Sequence, residues 1–538
     1  MNHITPPQKK RIAIVVDTLR VPAWVKLSVE KMASTPSVDI VAVIPVGNAC
    51  LAAESARDRR AKAIYSKFDE RLYPQSPSAL ARVALLSGLD AGAVTVLQLE
   101  GAISSDSAAL KSLHAMHIDL IVSYLGRRPP ALLNAGGEQE MWAHYLGGWP
   151  LRHSGDSGFF EVIHSEDVTE SGLYRVGDTP DEDQPLYRSF AATHTTSVHA
   201  NNNPIYWKAA SYAQRVLTQG PQPDAVSIDS GSMQSPVHPT VKGSEFLAHA
   251  GQSVLRNLHR RFHFEQWALC FQLENEISLD FSVFQEIRPP ADRYWADPFV
   301  MKREHVYYIF YEELYYANPR GHISVIELHP DGQCRHPRPV LKRPYHLSYP
   351  FLLEHGDTLY MMPECNENHT VDLYRCVSFP DEWVLACTLL AGVDAVDATL
   401  IEYQGRWWLF ANVRENEGAD FWDELYLFSS ETLLGGRFEP HPLNPIISDV
   451  RRSRPAGRIQ QTEEGLFRVS QICSRSGYGY GLNINKIETL TETAYEERCV
   501  QTIEPHWRND VAGVHTINHA DGCTVIDALL KRTGRARS

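Results

Sequence analysis

The sequence predicts two structural regimes in one chain: an α/β unit built on a parallel sheet, then an all-β five-bladed propeller. Three observations carry this reading. Short apolar runs alternate with helical spacing up to about residue 217, a Pro/Ser/Gly/Asp-rich stretch follows from Pro221 to Gly243, and from about Trp267 an aromatic strand–turn–strand unit recurs five times. The expected boundaries are 1–220 for the α/β domain, 221–264 for a linker and helix, and 265–538 for the propeller.

In the first regime, Arg11-Ile-Ala-Ile-Val-Val-Asp17 reads as a buried parallel strand. Val21 to Ser34 has helical spacing and Val38 to Val46 is a second strand. A helix around Ser107 to Met116 precedes the strand Ile118-Asp-Leu-Ile-Val-Ser123, and Asn202 to Leu217 reads as a closing helix with Pro204 near its start. Strands separated by helices mean βαβ units. Ser244 to about Arg261 is expected to be helical.

In the second regime, Trp295-Ala-Asp-Pro-Phe299 leads into Val306-Tyr-Tyr-Ile-Phe310, and Ser348-Tyr-Pro-Phe351 into Thr358-Leu-Tyr-Met-Met362. Val396-Asp-Ala-Thr-Leu400 leads likewise into Arg406-Trp-Trp-Leu-Phe410, Arg454-Pro-Ala-Gly-Arg458 into Gly465-Leu-Phe-Arg-Val469, and Ala512-Gly-Val-His515 into Gly522-Cys-Thr-Val-Ile526. The matched Asp-Pro, Tyr-Pro and Asp-Ala pairs favour a propeller over a sandwich. Tyr478-Gly-Tyr-Gly481 reads as a tight strand crossing, because no helix follows to make it a phosphate loop.

Composition narrows the partners. The 538 residues carry a net charge of −14, which argues against a general nucleic-acid binder. No apolar run approaches the length of a membrane span, and no signal-peptide core follows the polar start. Nine cysteines lack metal-ligand or disulfide spacing, so no metal is expected. The expected location is cytoplasmic, with peripheral membrane association left open.

The inner strand of each blade lines a central channel, so equivalent positions converge there. Aligning the repeats puts Asp297, Tyr349, Asp397, Ala456 and Gly513 at one level, with Glu364 at the end of the next strand in the second blade. Paired carboxylates, one of raised pKa, suit glycosidic chemistry, in which one protonates the leaving oxygen and the other attacks or activates water. Asp297, Asp397 and Glu364 are therefore the catalytic candidates. Trp295, Tyr349, Trp407 and Trp408 offer flat faces for sugar rings, although adjacent Trp407 and Trp408 must point oppositely. His346, Arg454, Arg458, Gln471 and His515 are candidates to bind hydroxyls or phosphate. In the first domain His144, Asp156, His164 and Asp181 are acid/base candidates, and its Gly pairs do not fit a dinucleotide fingerprint.

Two resemblances extend this. Residues 11–217 resemble a formyltransferase domain of the methionyl-tRNA formyltransferase type, through Arg11 to Asp17, Ile118-Asp-Leu-Ile-Val122, Trp142, Phe159-Phe-Glu-Val162 and Val168-Thr-Glu-Ser-Gly172. The resemblance implies an Asn-x-His pair and an Asp acting with formyl-tetrahydrofolate. Here Trp142-Ala-His144 replaces Asn-x-His, another register puts Tyr145 at the histidine, and Asp183 follows Asp181 where a glycine is usual. His144, Tyr145 and Asp181 thus form a degenerate site, and formyl transfer to an amino sugar is the alternative activity.

Residues 265–532 are similar to the N-terminal domain of the glucosamine inositolphosphorylceramide transferase family, which resembles five-bladed arabinanase-like glycoside hydrolases. The shared segments are Trp295-Ala-Asp-Pro-Phe299, His346-Leu-Ser-Tyr-Pro350, Tyr360-Met-Met-Pro-Glu364, Gly405-Arg-Trp-Trp-Leu-Phe410 and Tyr478-Gly-Tyr-Gly481, with Asp397-Ala398 replacing Asp-Pro. The resemblance implies a role in surface-glycan or glycolipid assembly, with a sugar, nucleotide-sugar or glycolipid substrate. A non-catalytic glycan-binding scaffold is the further alternative. No resident cofactor is expected outside the formyl-transfer alternative.

Overall fold

A computed structural model describes residues 9–47, 56–89, 94–98, 108–126, 139–147, 158–222, 245, 249, 263–474 and 477–533. The chain forms two compact units, and the break between them falls between residues 224 and 252. Most of the expected linker and the helix after it lie outside the described residues.

The first unit holds a seven-stranded sheet. Its order is Thr95–Val96, Val38–Pro45, Lys10–Val16, Leu120–Ser123, Glu140–Leu146, Val168–Arg175 and Gln184–Ala192. The first five strands pair in parallel and the last two antiparallel, so the sheet is mixed rather than parallel throughout. The short link from Arg175 to Gln184, with one 3-10 turn at Pro180–Glu182, cannot carry a parallel crossover and forces an antiparallel return. Ile12, Ile14, Val16, Val43, Leu120 and Val122 are buried on one face beneath the Ala23–Ala33 helix and its Trp24. The expected closing helix is two helices, Val198–Ala209 and Tyr212–Gln219. Pro204 sits inside the first, whose start is set by the Ser197 side chain accepting the Ala200 N–H.

The second unit is a five-bladed propeller of antiparallel sheets. Blade one runs Arg293–Arg303, Val306–Tyr315, Asn318–Leu328, Cys334–Leu341 from inside outward, and blade two Ser348–His355, Thr358–Glu364, Thr370–Ser378, Glu382–Ala391. Blade three is Ala395–Tyr403, Arg406–Val413, Glu424–Ser430, Glu439–Pro440, with Ile447–Ser448 also on the third strand. Blade four is Gln460–Thr462, Gly465–Ser474, Gly477–Leu490, Tyr495–Ile503. Blade five mixes the two ends of the unit. Val511–Gly513, Ile517–Ala520 and Cys523–Thr533 are inside, while His263–Leu273 and Gln285–Ile287 are outside. The register from His263↔Thr533 to Leu273↔Cys523 closes the ring and removes two free edges.

In blades one to three the repeats seen in the sequence are the first two strands of the blade, whereas in blade four Arg454–Arg458 precedes the first strand. In blades one to three the inner strand carries the same defect: Ala296 faces Glu312, Ser348 faces Glu364 and Val396 faces Asn412, and the register then slips before Phe299, Phe351 and Thr399. At each slip a non-glycine residue is left-handed: Asp297 at φ 51°, Tyr349 at 44° and Asp397 at 51°. In blade four the left-handed residue is Gly457, at φ 133°, rather than Ala456. A bulge of this kind re-aims one side chain out of the pleat, and a left-handed conformation away from glycine costs roughly 1–3 kcal/mol. The three stand in phase, at equivalent positions of successive blades.

Apolar layers fill the spaces between blades, one of them containing Phe299, Phe351, Met362, Leu373, Leu400 and Trp407, and another Trp408, Phe410, Leu425 and Leu466.

Candidate functional site in the propeller channel

The bulges bring the predicted carboxylates into two linked clusters. In the first, Asp297 Oδ1 accepts the Thr516 hydroxyl at 2.8 Å and lies 3.4 Å from His515 Nε2, while its Oδ2 accepts the Tyr349 N–H at 3.3 Å. Asp527 completes the group from the second strand of blade five. Its Oδ1 accepts the N–H groups of His515 and Thr516 at 2.9 and 3.0 Å, and its Oδ2 accepts the Asp297 N–H at 3.0 Å. The same Oδ2 lies 2.6 Å from His515 Nδ1, in ion-pair contact rather than well-aligned hydrogen-bond geometry.

Burial opposes a charge on His515, but Asp527 and Asp297 outweigh it and hold the imidazole up at about 9. Burial raises the Asp297 carboxyl, His515 pulls it down, and Asp397, Glu312 and Asp527 push it up again. Asp297, His515 and Asp527 offer ligand atoms within 4.8 Å of one another. A divalent ion there would have to displace the imidazolium proton, which already offsets part of the carboxylate charge.

In the second cluster, Asp397 Oδ2 accepts Arg454 Nε at 2.5 Å and Gln471 Nε2 at 3.0 Å. Arg454 Nη2 lies 3.9 Å from Glu364 Oε2, and the guanidinium sits 4.7 Å above the Tyr478 ring. Burial and then the charge of Asp397 push the Glu364 carboxyl well above the usual range, against the pull of Arg454 and His346. Its Oε2 is buried without a hydrogen-bond partner among the described residues. His346 borders this cluster: Nδ1 accepts the Gly321 N–H at 3.0 Å and Nε2 lies 3.2 Å from Glu312. Burial and the N–H that Gly321 donates to Nδ1 oppose a charge on this ring, while Glu312, Glu364 and Glu367 favour one.

The sequence reading missed one regularity. Glu312, Glu364 and Asn412 face equivalent inner-strand residues, and Gln471 and Asp527 also bond inner-strand groups from second strands. Each blade thus contributes one carboxylate or amide from its second strand. In the first three blades that residue stands fifteen positions after the left-handed one, a spacing visible in the sequence.

The aromatic platforms need correction. Trp295 is 5% exposed, packs on Tyr311 at 5.1 Å and donates to Glu313 at 3.1 Å. Tyr349 is fully buried, its hydroxyl accepting the Gly457 N–H at 2.7 Å and meeting Thr399 Oγ1 at 2.9 Å. Trp407 and Trp408 are buried in different inter-blade layers. These four hold the ring together and present no open face. Half-buried aromatics beside the clusters do the bordering instead. Trp267 stacks on His515 at 4.1 Å, and Tyr478 meets His515 at 5.2 Å and Trp422 at 5.6 Å.

Tyr478-Gly-Tyr-Gly481 is a close crossing: a Cβ on Gly479 would come within 2.6 Å of His515 Cβ, and one on Gly513 within 2.4 Å of the Gly479 carbonyl. Arg458 lies deeper, over Phe351 at 5.3 Å, and burial lowers its pKa to about 10. A cavity of about 450 Å³ lined by Arg303, Glu354, Asp357, Arg375 and Phe379 sits at the other, hairpin end of blades one and two, remote from these clusters.

In the first unit, His144 is enclosed. Its ring stacks on Tyr124 at 4.6 Å and faces Trp24 and Tyr212, its nitrogens lack well-formed hydrogen bonds among the described residues, and burial pushes its pKa down to about 3. Tyr145 points to the opposite face, edge-on to Tyr174 at 5.1 Å, while Asp181 is exposed in the 3-10 turn. His164 ends the Phe159–His164 helix against Phe160, and Asp156 lies outside the described residues. His144 therefore supplies no accessible base for formyl transfer.

Residues 282–516 match the family described as Glucosamine inositolphosphorylceramide transferase 1, N-terminal. The protein called Glucosamine inositolphosphorylceramide transferase 1 of Oryza sativa subsp. japonica is 34% identical over 205 residues, 38% of this chain and 27% of that protein. Its Arabidopsis thaliana namesake is 33% identical over 205 residues, 38% of this chain and 26% of the relative. The chain thus spans about a quarter of the length of these relatives. Among solved structures, Zg3597, a family 117 glycoside hydrolase from Zobellia galactanivorans, aligns at 13% identity and TM-score 0.33, over 50% of this chain and 90% of that one. An exo-1,5-alpha-L-arabinanase from a bovine ruminal metagenomic library aligns at 16% identity and TM-score 0.33, over 46% and 95%.

Proposed function

We propose that the propeller is a carbohydrate-active domain of glycan or glycolipid assembly, and that its channel end binds and processes the sugar of a glycolipid or nucleotide-sugar substrate. The single observation that carries this is Glu364. Its carboxyl is buried beside Asp397, its pKa is raised, and Oε2 has no bonded partner among the described residues. A carboxylic acid kept protonated with an unmet oxygen is suited to protonate a departing glycosidic oxygen.

Asp297 then acts as the partner carboxylate. It takes the proton of an acceptor hydroxyl or water as that oxygen bonds the anomeric carbon, while the proton of Glu364 leaves with the departing oxygen. Arg454 and Gln471 fix Asp397, whose charge keeps the proton on Glu364, and His515 orients Asp297. Trp267, Tyr478 and Trp422 supply apolar faces of the kind that sugars stack against. The glucosamine and inositolphosphorylceramide in the relatives' names support a glycolipid headgroup as the substrate class.

The test is turnover of a panel of aryl glycosides and of nucleotide sugars with inositolphosphorylceramide acceptors. Glu364→Gln and Asp297→Asn should each lower kcat by about 10²–10⁴, the first with binding and melting temperature close to wild type and the second with a lower melting temperature as well, because His515 loses one of its two charge partners. Turnover unchanged in both variants would sink the assignment. Glycan binding without wild-type turnover, surviving both substitutions and Asp397→Asn, would establish the scaffold reading instead.

A further inference from the structure

We infer that the Ala56–Leu72 helix of the first unit is a docking face for an anionic lipid surface. One side of this helix is fastened to its own domain. Asp69 Oδ2 accepts the His199 N–H at 2.7 Å, the Tyr65 ring meets Phe159 at 6.0 Å, and Lys62 Nζ stands 4.9 Å over the Phe159 ring. Residues 62, 65 and 69 form one helical stripe, so the orientation of the helix is set.

That orientation turns large apolar side chains outward. Ile64 is 70% exposed, Phe68 59% and Leu72 56%, at i, i+4 and i+8. Arg60, Lys67 and Arg71 are also exposed, and none is ion-paired among the described residues. At about 100° per residue the three cations fall within an arc of roughly 40°, directly beside an arc of roughly 80° holding the three apolar residues. A contiguous apolar stripe on an otherwise solvated helix marks an interaction face.

Charge decides which partner. A second copy packing its helix antiparallel on this face about a two-fold axis would set cations against cations. An anionic bilayer matches both halves of the face: the apolar stripe enters the headgroup boundary and the Lys/Arg edge meets phosphates and carboxylates. The chain as a whole, at −14, is repelled by such a surface, but within a Debye length of roughly 8–10 Å the local cations set the field. Among the described residues no helix is long and apolar enough to cross a membrane, so the helix would lie on the surface. The inference stands independently of the sugar-processing reading.

The experiment is flotation of the full chain with large unilamellar vesicles, either phosphatidylcholine alone or with about 30% phosphatidylserine. Wild type should partition at least about tenfold more strongly onto the anionic vesicles, and lose that preference at about 0.5 M salt. The Ile64→Ser/Phe68→Ser/Leu72→Ser variant should lose about tenfold or more on the same vesicles, and Lys67→Glu/Arg71→Glu should abolish the anionic preference. Circular dichroism melting checks that both variants fold. Equal partitioning of wild type onto the two vesicle types, or retention by both folded variants, overturns the inference. So does concentration-dependent self-association removed by the serine variant without any vesicle binding, which would make the face a dimer contact.

Discussion

Asp527→Asn isolates the electrostatics of the channel. The carboxylate is wholly buried and serves three backbone N–H groups and the His515 ring at once. An amide keeps one acceptor oxygen and turns its NH₂ toward a backbone donor or toward the imidazolium. Removing one partner of a buried charge pair costs about 3–5 kcal/mol. At about 2–4 °C per kcal/mol for a domain of this size, the propeller transition should fall by roughly 6–20 °C near pH 6.

The pH dependence supplies a second, sharper readout. His515 rises from 6.5 to about 9 on folding, so its stabilisation is complete below about pH 6.5 and is lost as pH climbs through 9. The shift corresponds to roughly 3 kcal/mol in wild type. The raised carboxyls of Asp297 and Glu364 act with the same sign, because the folded state holds their protons at pH values where the unfolded chain has released them. Without Asp527, burial dominates at His515 and its alkaline loss disappears. Differential scanning calorimetry of the full chain should therefore show the gap between wild type and variant narrowing by several degrees from pH 6 to pH 10. A gap that stays constant across this range, or no gap at all, would refute the proposed charge balance.

Two further substitutions test the reassigned residues. Tyr349→Phe strands the Gly457 N–H and should cost about 1–3 kcal/mol in denaturant unfolding, without loss of sugar binding; an unchanged midpoint would contradict its role as a crossbar. His144→Phe keeps the aromatic stack and removes two nitrogens that lack well-formed bonds. Because the folded His144 titrates near 3, below its unfolded value, wild type loses stability as pH falls from 6.5 toward 3. The variant should accordingly exceed wild type by about 2 kcal/mol at pH 5 and differ less at pH 7, as read by circular dichroism melts.

Several elements of this architecture were legible because they are local. The Asp297-Pro298, Tyr349-Pro350 and Asp397-Ala398 pairs mark the bulges directly, since each bulge is built from the left-handed residue and its immediate neighbours. The antiparallel return of the first sheet was legible in principle from the short Arg175-to-Gln184 link, but its apolar strands read like those of a parallel sheet. Trp267 was unreadable for a different reason. It borders the site only because His263–Leu273 pairs with Cys523–Thr533, and nothing near either segment announces a partner some 250 residues away.

The missed second-strand residues show why repeat phasing finds a ring but not its chemistry. Glu312, Asn412 and Asp527 share no residue motif, and Asp527 sits in the apolar run Val525-Ile-Asp-Ala528. That position is also the strongest clue it carries. A carboxylate buried in such a run must find donors, and here Asp527 finds an imidazole and two backbone N–H groups in its own blade and the Asp297 N–H in the next. Asp397 is likewise paired, with Arg454 and Gln471. Apply the same demand to Glu364 and the answer differs: the arginine lies at 3.9 Å, and Oε2 has no hydrogen-bond partner among the described residues. A buried carboxyl in that position is cheapest when protonated. On the proposed reading Glu364, the carboxyl of this ring that is left with an unbonded oxygen among the described residues, is the group that lends a proton to something that enters the channel.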